Sequence, residues 1–150
     1  MKTRALAVLA TAVVATSGRA AGSAVAVFPN GTAFTLEVAD DPESRRVGYM
    51  YRDAIGAAEG MLFVFEDDGV HSMWMKNCRV GLDMVWLDAA YRVVDLAERT
   101  KPCPEVGECP SIIPSRPSRF VLELASGTVA RQSLKVGDTI AVLTQPSPRP

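Results

Sequence analysis

Between His71 and Asp88 the chain reads HSMWMKNCRVGLDMVWLD, and this run holds most of the side chains that could do chemistry. It contains both tryptophans, three methionines, the only histidine, a lysine, an asparagine, two aspartates and a cysteine. Trp74 and Trp86 offer flat faces to a sugar ring or another planar ligand; the plainer role of either is to fill a β core. Lys76, Asn77 and Asp83 carry polar groups in apolar company, where burial is costly unless they satisfy one another or meet a ligand. A Lys76–Asp83 pair closing the bend at Gly81 is the architectural alternative. Arg52, further upstream, has a planar fork suited to a carboxylate, whether Asp83, Glu123 or an acid group on a ligand. Trp74, Lys76, Asn77, Asp83 and Arg52 therefore form the expected ligand surface.

Catalysis finds less support. Asp83 and Glu123 could act as two carboxylates on a glycoside, provided the fold sets them at the right separation. A Ser–His–Asp set would have to use His71, and no G-x-S-x-G turn exists. His71, Met73 and Met75 make a chemically sensible soft set for Cu(I), yet methionines in a strand usually fill core space. No catalytic residue, metal or cofactor is assigned. Cys103 and Cys109 enclose the polar loop PEVGE and are expected to pair as a disulfide. Cys78 is left over: a small buried hydrophobe, with a reactive thiol as the alternative and only Lys76 near in sequence to activate it.

Disulfide pairing suits the start of the chain. Lys2 and Arg4 precede an apolar run from Ala5 to Thr16 and small residues up to Ala24, the layout of a secretory signal peptide ending at Ala20 or as late as Ala24. The run is shorter than the roughly 20 apolar residues of a membrane span, so no transmembrane anchor is expected after cleavage. A leader ending at Ala20 removes Lys2, Arg4 and Arg19 from 16 basic residues, leaving 13 against 17 acidic ones. That balance argues against a nucleic-acid partner. The expectation is a periplasmic or secreted protein with one domain over residues 25–143 and a disordered Pro-rich tail over 144–150.

The elements that must position these residues are mostly strands. Ala24–Phe28 and Thr32–Ala39 flank Pro29-Asn30-Gly31, a hairpin turn. Asp41, Pro42 and Glu43 open a short helix that stops near Gly48 or shortly after Arg52. Met61–Phe65, His71–Asn77, Asp83–Leu87, Arg92–Glu98, Arg119–Leu124 and Thr139–Leu143 have strand character. A second short helix begins at Ser126, and Lys101–Pro117 is a long loop. Many short strands with Gly and Pro punctuation predict a mainly-β single domain, a β-sandwich or jelly-roll-like barrel with two short peripheral helices.

The order LEVADDPESRRVGYMYR, GMLFVF, MWMKNCRVGLDMVWLD, PSRFVLELASG and LKVGD resembles the exported family called domain of unknown function 192, from about Phe34 to Leu143. The resemblance implies a β-sandwich or jelly-roll architecture and no established activity. The matching positions are Arg45, Gly48, Met50, Arg52, Gly60, Met61, Trp74, Met75, Lys76, Asn77, Leu82, Asp83, Met84 and Glu123. The chain departs from the family pattern at Cys78, usually threonine, at Gly81, usually proline, and at Val47, often arginine. The functional expectation is an exported accessory or binding module for a small molecule, glycan or envelope protein. The competing expectations are a hydrolase of envelope glycan or ester acting through carboxylates, and a protein-interaction factor without a small-molecule site.

Overall fold

The structure, a computed structural model, describes residues 22–145. The expected leader at 1–20 and the residues from 146 onward lie outside them. The elements in chain order are β1 (Ser23–Val27), β2 (Ala33–Ala39), α1 (Pro42–Val47), β3 (Glu59–Gly69), β4 (Leu82–Leu87), β5 (Val93–Thr100), β6 (Ser118–Ala125), α2 (Thr128–Arg131) and β7 (Ala141–Gln145). The strands form one seven-stranded sheet in the order β5-β4-β6-β3-β2-β1-β7. β7 reaches Gln145, so the strand takes up two residues expected in the tail.

Asn30-Gly31 closes the β1–β2 hairpin with Gly31 at φ +84, a region that favours glycine. β2 and β3 run parallel. A parallel pair needs a crossover and not a tight turn, and the segment carrying α1 supplies it. Asp41 caps α1 by accepting from the Glu43 and Ser44 amides at 2.9 and 3.0 Å, with Pro42 in the first turn.

The two ends of the sheet meet. The Val93 amide donates to the Asp138 carbonyl and the Ile140 amide to that of Tyr91, while Arg92 bridges Thr139. The expected mainly-β single domain with two short helices is present, as a single sheet that rolls toward a barrel and not as two stacked sheets. Strand alternation then sorts the side chains onto two faces. The interior core takes Leu62, Val85, Leu87, Leu122 and Leu124 with Phe28, Phe34 and Leu36. The outer face of the same strands takes Met61, Phe63, Met84, Trp86 and Val121. Because β3, β4 and β6 are buried on both faces, their sequences read as continuous apolar runs.

What covers the outer face is irregular chain. The stretch His71–Asn77, expected as a strand, makes only one ladder contact, Met73 with Ile112. Its alternation survives without the ladder: Met73 and Met75 are buried while Trp74 and Lys76 face out. Asn77 then takes φ +56 and reverses the phase, so Cys78 turns inward. The long loop straps this segment down: the Cys103 amide donates to the Met75 carbonyl at 3.4 Å, and Ile112 exchanges amide hydrogen bonds with Met73 at 2.7 and 3.0 Å. Cys103 and Cys109 are joined as a disulfide, and Cys78 is free and buried.

Candidate functional site

β6 runs Phe120-Val121-Leu122-Glu123-Leu124, and its alternation sends Leu122 and Leu124 into the barrel and Glu123 onto the outer face. Glu123 is 3% exposed, and its Oε2 is buried with no hydrogen-bond partner. Burial pushes this carboxyl up to about 8, against smaller opposing effects from the Tyr49 amide and the Arg52 charge. At neutral pH it is mostly protonated.

Gly48 lies directly over the acid. It ends α1 at φ +46, and a Cβ added there would stand 3.0 Å from Phe63 Cζ and 3.1 Å from Glu123 Oε2. A side chain at position 48 would meet both the backbone strain and the carboxyl. Beside this contact opens a cavity of about 110 Å³, bordered by Gly48, Tyr49, Phe63, Met73, Trp74 and Cys78, with Glu123 among its walls. Trp74 is 40% exposed there. Burial raises the Cys78 thiol to about 11, with a smaller contribution from Glu123, and the Tyr49 phenol to about 12, with smaller contributions led by Glu37. Neither is set up as a nucleophile or base near pH 7. The rim arginines are engaged: Arg45 donates to the Asp40 and Val64 carbonyls at 2.9 Å each and lies over Phe65, and Arg46 pairs with Glu43.

The five residues expected to share a ligand surface divide among several places. Trp74 borders the cavity, and Lys76 Nζ sits 5.1 Å from the centroid of its ring. Lys76 and Asn77 border a second, wider cavity of about 420 Å³ between Tyr51 and the disulfide loop. Asn77 is tied there: its Nδ2 donates to the Tyr51 hydroxyl at 2.8 Å and its carbonyl accepts from the Tyr51 amide at 2.8 Å. Arg52 pairs through its two terminal guanidinium nitrogens with Glu37 on β2 and lies 4.8 Å over the Tyr49 ring, so its internal partner is neither Asp83 nor Glu123.

Asp83 is the clearest correction. Its position on β4 faces the barrel end, not the outer cavity, and it is fully buried. Oδ1 accepts from the amides of Arg99 at 2.7 Å and Gly127 at 3.0 Å, and Oδ2 from that of Val129 at 2.8 Å. It fastens the β5 and β6–α2 connections, in place of the expected Ser126 cap. α2 starts after Gly127 and has no side-chain cap of its own. The anticipated Lys76–Asp83 pair does not form, because the two residues lie on opposite sides of the sheet. The same opposition separates Asp83 from Glu123, so they do not flank a common glycosidic bond. Trp86 is a core residue, 1% exposed, with its indole N–H donating to the His71 carbonyl at 2.8 Å. His71 stacks on Phe65 at 3.7 Å between centroids, and its Nε2 meets the Asp67 carbonyl. It does not gather with Met73 and Met75. Among the described residues no three His, Cys, Asp or Glu side chains cluster as a metal site would need.

Comparison with known proteins adds kinship. The model of domain of unknown function 192, described as an uncharacterized ACR, matches residues 25–142. The chain belongs to this family. No curated protein matches it. Among solved structures, the DUF192 chain is similar to a Sinorhizobium meliloti 1021 protein described as a putative transcription regulator, at 32% identity and TM-score 0.71, over 83% of this chain and 95% of that one. It is also similar to a protein of unknown function from Novosphingobium aromaticivorans DSM 12444, at 27% identity and TM-score 0.72, over 89% and 93%.

Glu123 is the residue that the expected surface omits. Its signal is present in the sequence: an acid at the centre of Phe120-Val121-Leu122-Glu123-Leu124, a run apolar enough to be buried on both faces. An ionisable group at such a position must be paired, neutralised or used.

Proposed function

We propose that this DUF192 protein is an exported small-ligand binding module whose site is the cavity beside Glu123 and Trp74, not the wider surface read from the sequence. The observation that carries this reading is the Glu123 carboxyl, buried in an apolar wall with Oε2 unpartnered. A side chain kept only for the fold would gain from being replaced by leucine there. An acid held at that cost fits a site in which a ligand supplies the missing hydrogen bond. Export is supported by the order of charged, apolar and small residues in the first 24 positions and by the Cys103–Cys109 bridge. The hydrolase reading loses its second carboxylate, and the raised thiol of Cys78 offers no replacement nucleophile.

A thermal-shift screen of sugars, short peptides and fragments of three to seven heavy atoms tests the site, run in parallel on wild type and Glu123→Leu. Compounds that stabilise the wild type and not the variant support it, since a ligand well above its Kd adds an observable few kcal/mol. A wild type that no compound shifts, with a Glu123→Leu variant that melts lower, would make Glu123 architecture.

A further inference from the structure

Cavity size and polarity together narrow the ligand. About 110 Å³ is less than the roughly 150 Å³ that takes a benzene ring, so a group of a few heavy atoms enters while the rest of the molecule remains outside. The cavity is bordered by the apolar Met50, Phe63 and Met73 and by Arg45, Arg46, Tyr49, Ser72 and Cys78, and Glu123 contributes a buried Oε2 that lacks a partner. Since burial keeps this carboxyl protonated to about 8, it donates a hydrogen bond at neutral pH and does not draw in a cation. The entering group is therefore small, neutral, partly apolar and equipped with a hydrogen-bond acceptor. At the mouth stands Trp74, 40% exposed, an aromatic surface next to the opening.

We propose that the site takes the acetamido group of an N-acetylated sugar. The carbonyl oxygen accepts from the Glu123 Oε2 hydroxyl, the methyl packs against Met50, Phe63 and Met73, and the pyranose ring lies against Trp74. This rests on the reading of the cavity as the binding site. An acetamido group has four heavy atoms, one apolar end and a strong carbonyl acceptor, which matches the cavity's size and its unpartnered acid. Acetylated lysine carries the same group on a flexible chain, but it brings no ring for the exposed tryptophan.

The test is titration of the mature chain with N,N′,N″-triacetylchitotriose, its de-N-acetylated counterpart and an acetyl-lysine peptide, followed by calorimetry. The acetylated trimer should bind at least about tenfold more tightly than either of the other two. Glu123→Leu and Trp74→Ala should each weaken that binding by about tenfold or more, while Glu123→Gln, whose amide N–H still donates, should stay within about threefold of wild type. Melting curves check that each variant is folded. Equal binding of both trimers, tighter binding of the peptide, or a Glu123→Gln variant as defective as Glu123→Leu overturns the acetamido assignment. If neither trimer binds but other compounds stabilise the wild type through Glu123, the acetamido assignment falls and the cavity remains a site. If nothing binds, both fall.

Discussion

The two faces of the sheet are built to different rules. The barrel interior is filled by Phe, Leu, Val, Ile and Ala, and its one carboxylate, Asp83, is met by three backbone amides. The outer face adds methionine, tryptophan, tyrosine and cysteine to Phe63, Leu82 and Val121 under an irregular cover, and its carboxyl, Glu123, keeps an oxygen without a partner beside a cavity. Both acids are almost wholly buried on neighbouring strands, with Met84, next after Asp83, paired to Glu123 across the ladder. Burial alone therefore does not mark a functional acid. What separates them is satisfaction: three backbone amides make Asp83 a fastening, whereas Glu123 keeps an unpartnered oxygen and burial favours its neutral form.

Perturbing the fastening should have the largest effect. Asp83→Ala leaves three amides without an acceptor in a buried place, at about 1–3 kcal/mol each, so denaturant unfolding should show a loss of several kcal/mol. Leu122→Ala, beside Glu123 in sequence but inside the barrel, should cost about 2–5 kcal/mol by the same measurement. Glu123→Leu should do the opposite at pH 8 and raise the melting temperature, because the cost of burying the carboxyl with Oε2 unpartnered outweighs the acceptor that the Tyr49 amide loses. An unchanged or lowered melting temperature there would erase the contrast between the two faces.

The pH dependence carries a definite sign. Glu123 rises from an ordinary 4.5 to about 8 in the folded protein, so between those values the native state holds a proton that the unfolded chain has released. Its contribution is unchanged below about pH 4.5, and stability falls as pH rises toward 8, by on the order of 4–5 kcal/mol for this group. Glu123→Gln should flatten that slope in melts taken from pH 5 to pH 8.5. Smaller effects follow at the periphery. Cys78→Thr should change stability by less than about 1 kcal/mol, and the native thiol should react slowly with a thiol reagent at pH 8, being both buried and raised. Lys76→Met should cost less than about 0.5 kcal/mol and combine additively with Asp83→Asn, since the two share no contact.

Much of the framework was legible in local pattern. Asn30-Gly31 announced the first hairpin, Asp41-Pro42 the first helix, and the spacing of Cys103 and Cys109 their bridge, because each depends on residues close in sequence. The focal run from His71 to Cys78 misled in two respects: its alternation of buried and exposed side chains holds only as far as Lys76, and it comes from packing over the outer face and not from strand pairing. The site was harder to read. Lys76, Asn77 and Asp83 are close in sequence, and closeness was taken for convergence. A strand sends neighbours to opposite faces and Asn77 reverses the phase, so Asp83 went to the barrel end while Trp74 stayed at the cavity. Glu123 reached that cavity from a strand some 40 residues later in the chain, a meeting set by the β4–β6–β3 neighbourhood that no local pattern encodes.

The most direct measurement is the titration of Glu123 itself, by carbon NMR of its side-chain carboxyl in the folded mature protein. A midpoint near 8 is the predicted result, moving further when a ligand that accepts its proton in a hydrogen bond occupies the cavity. A midpoint in the ordinary range near 4.5 would mean that the carboxyl is solvated or paired, and the outer face would lose the one feature that distinguishes it as a site.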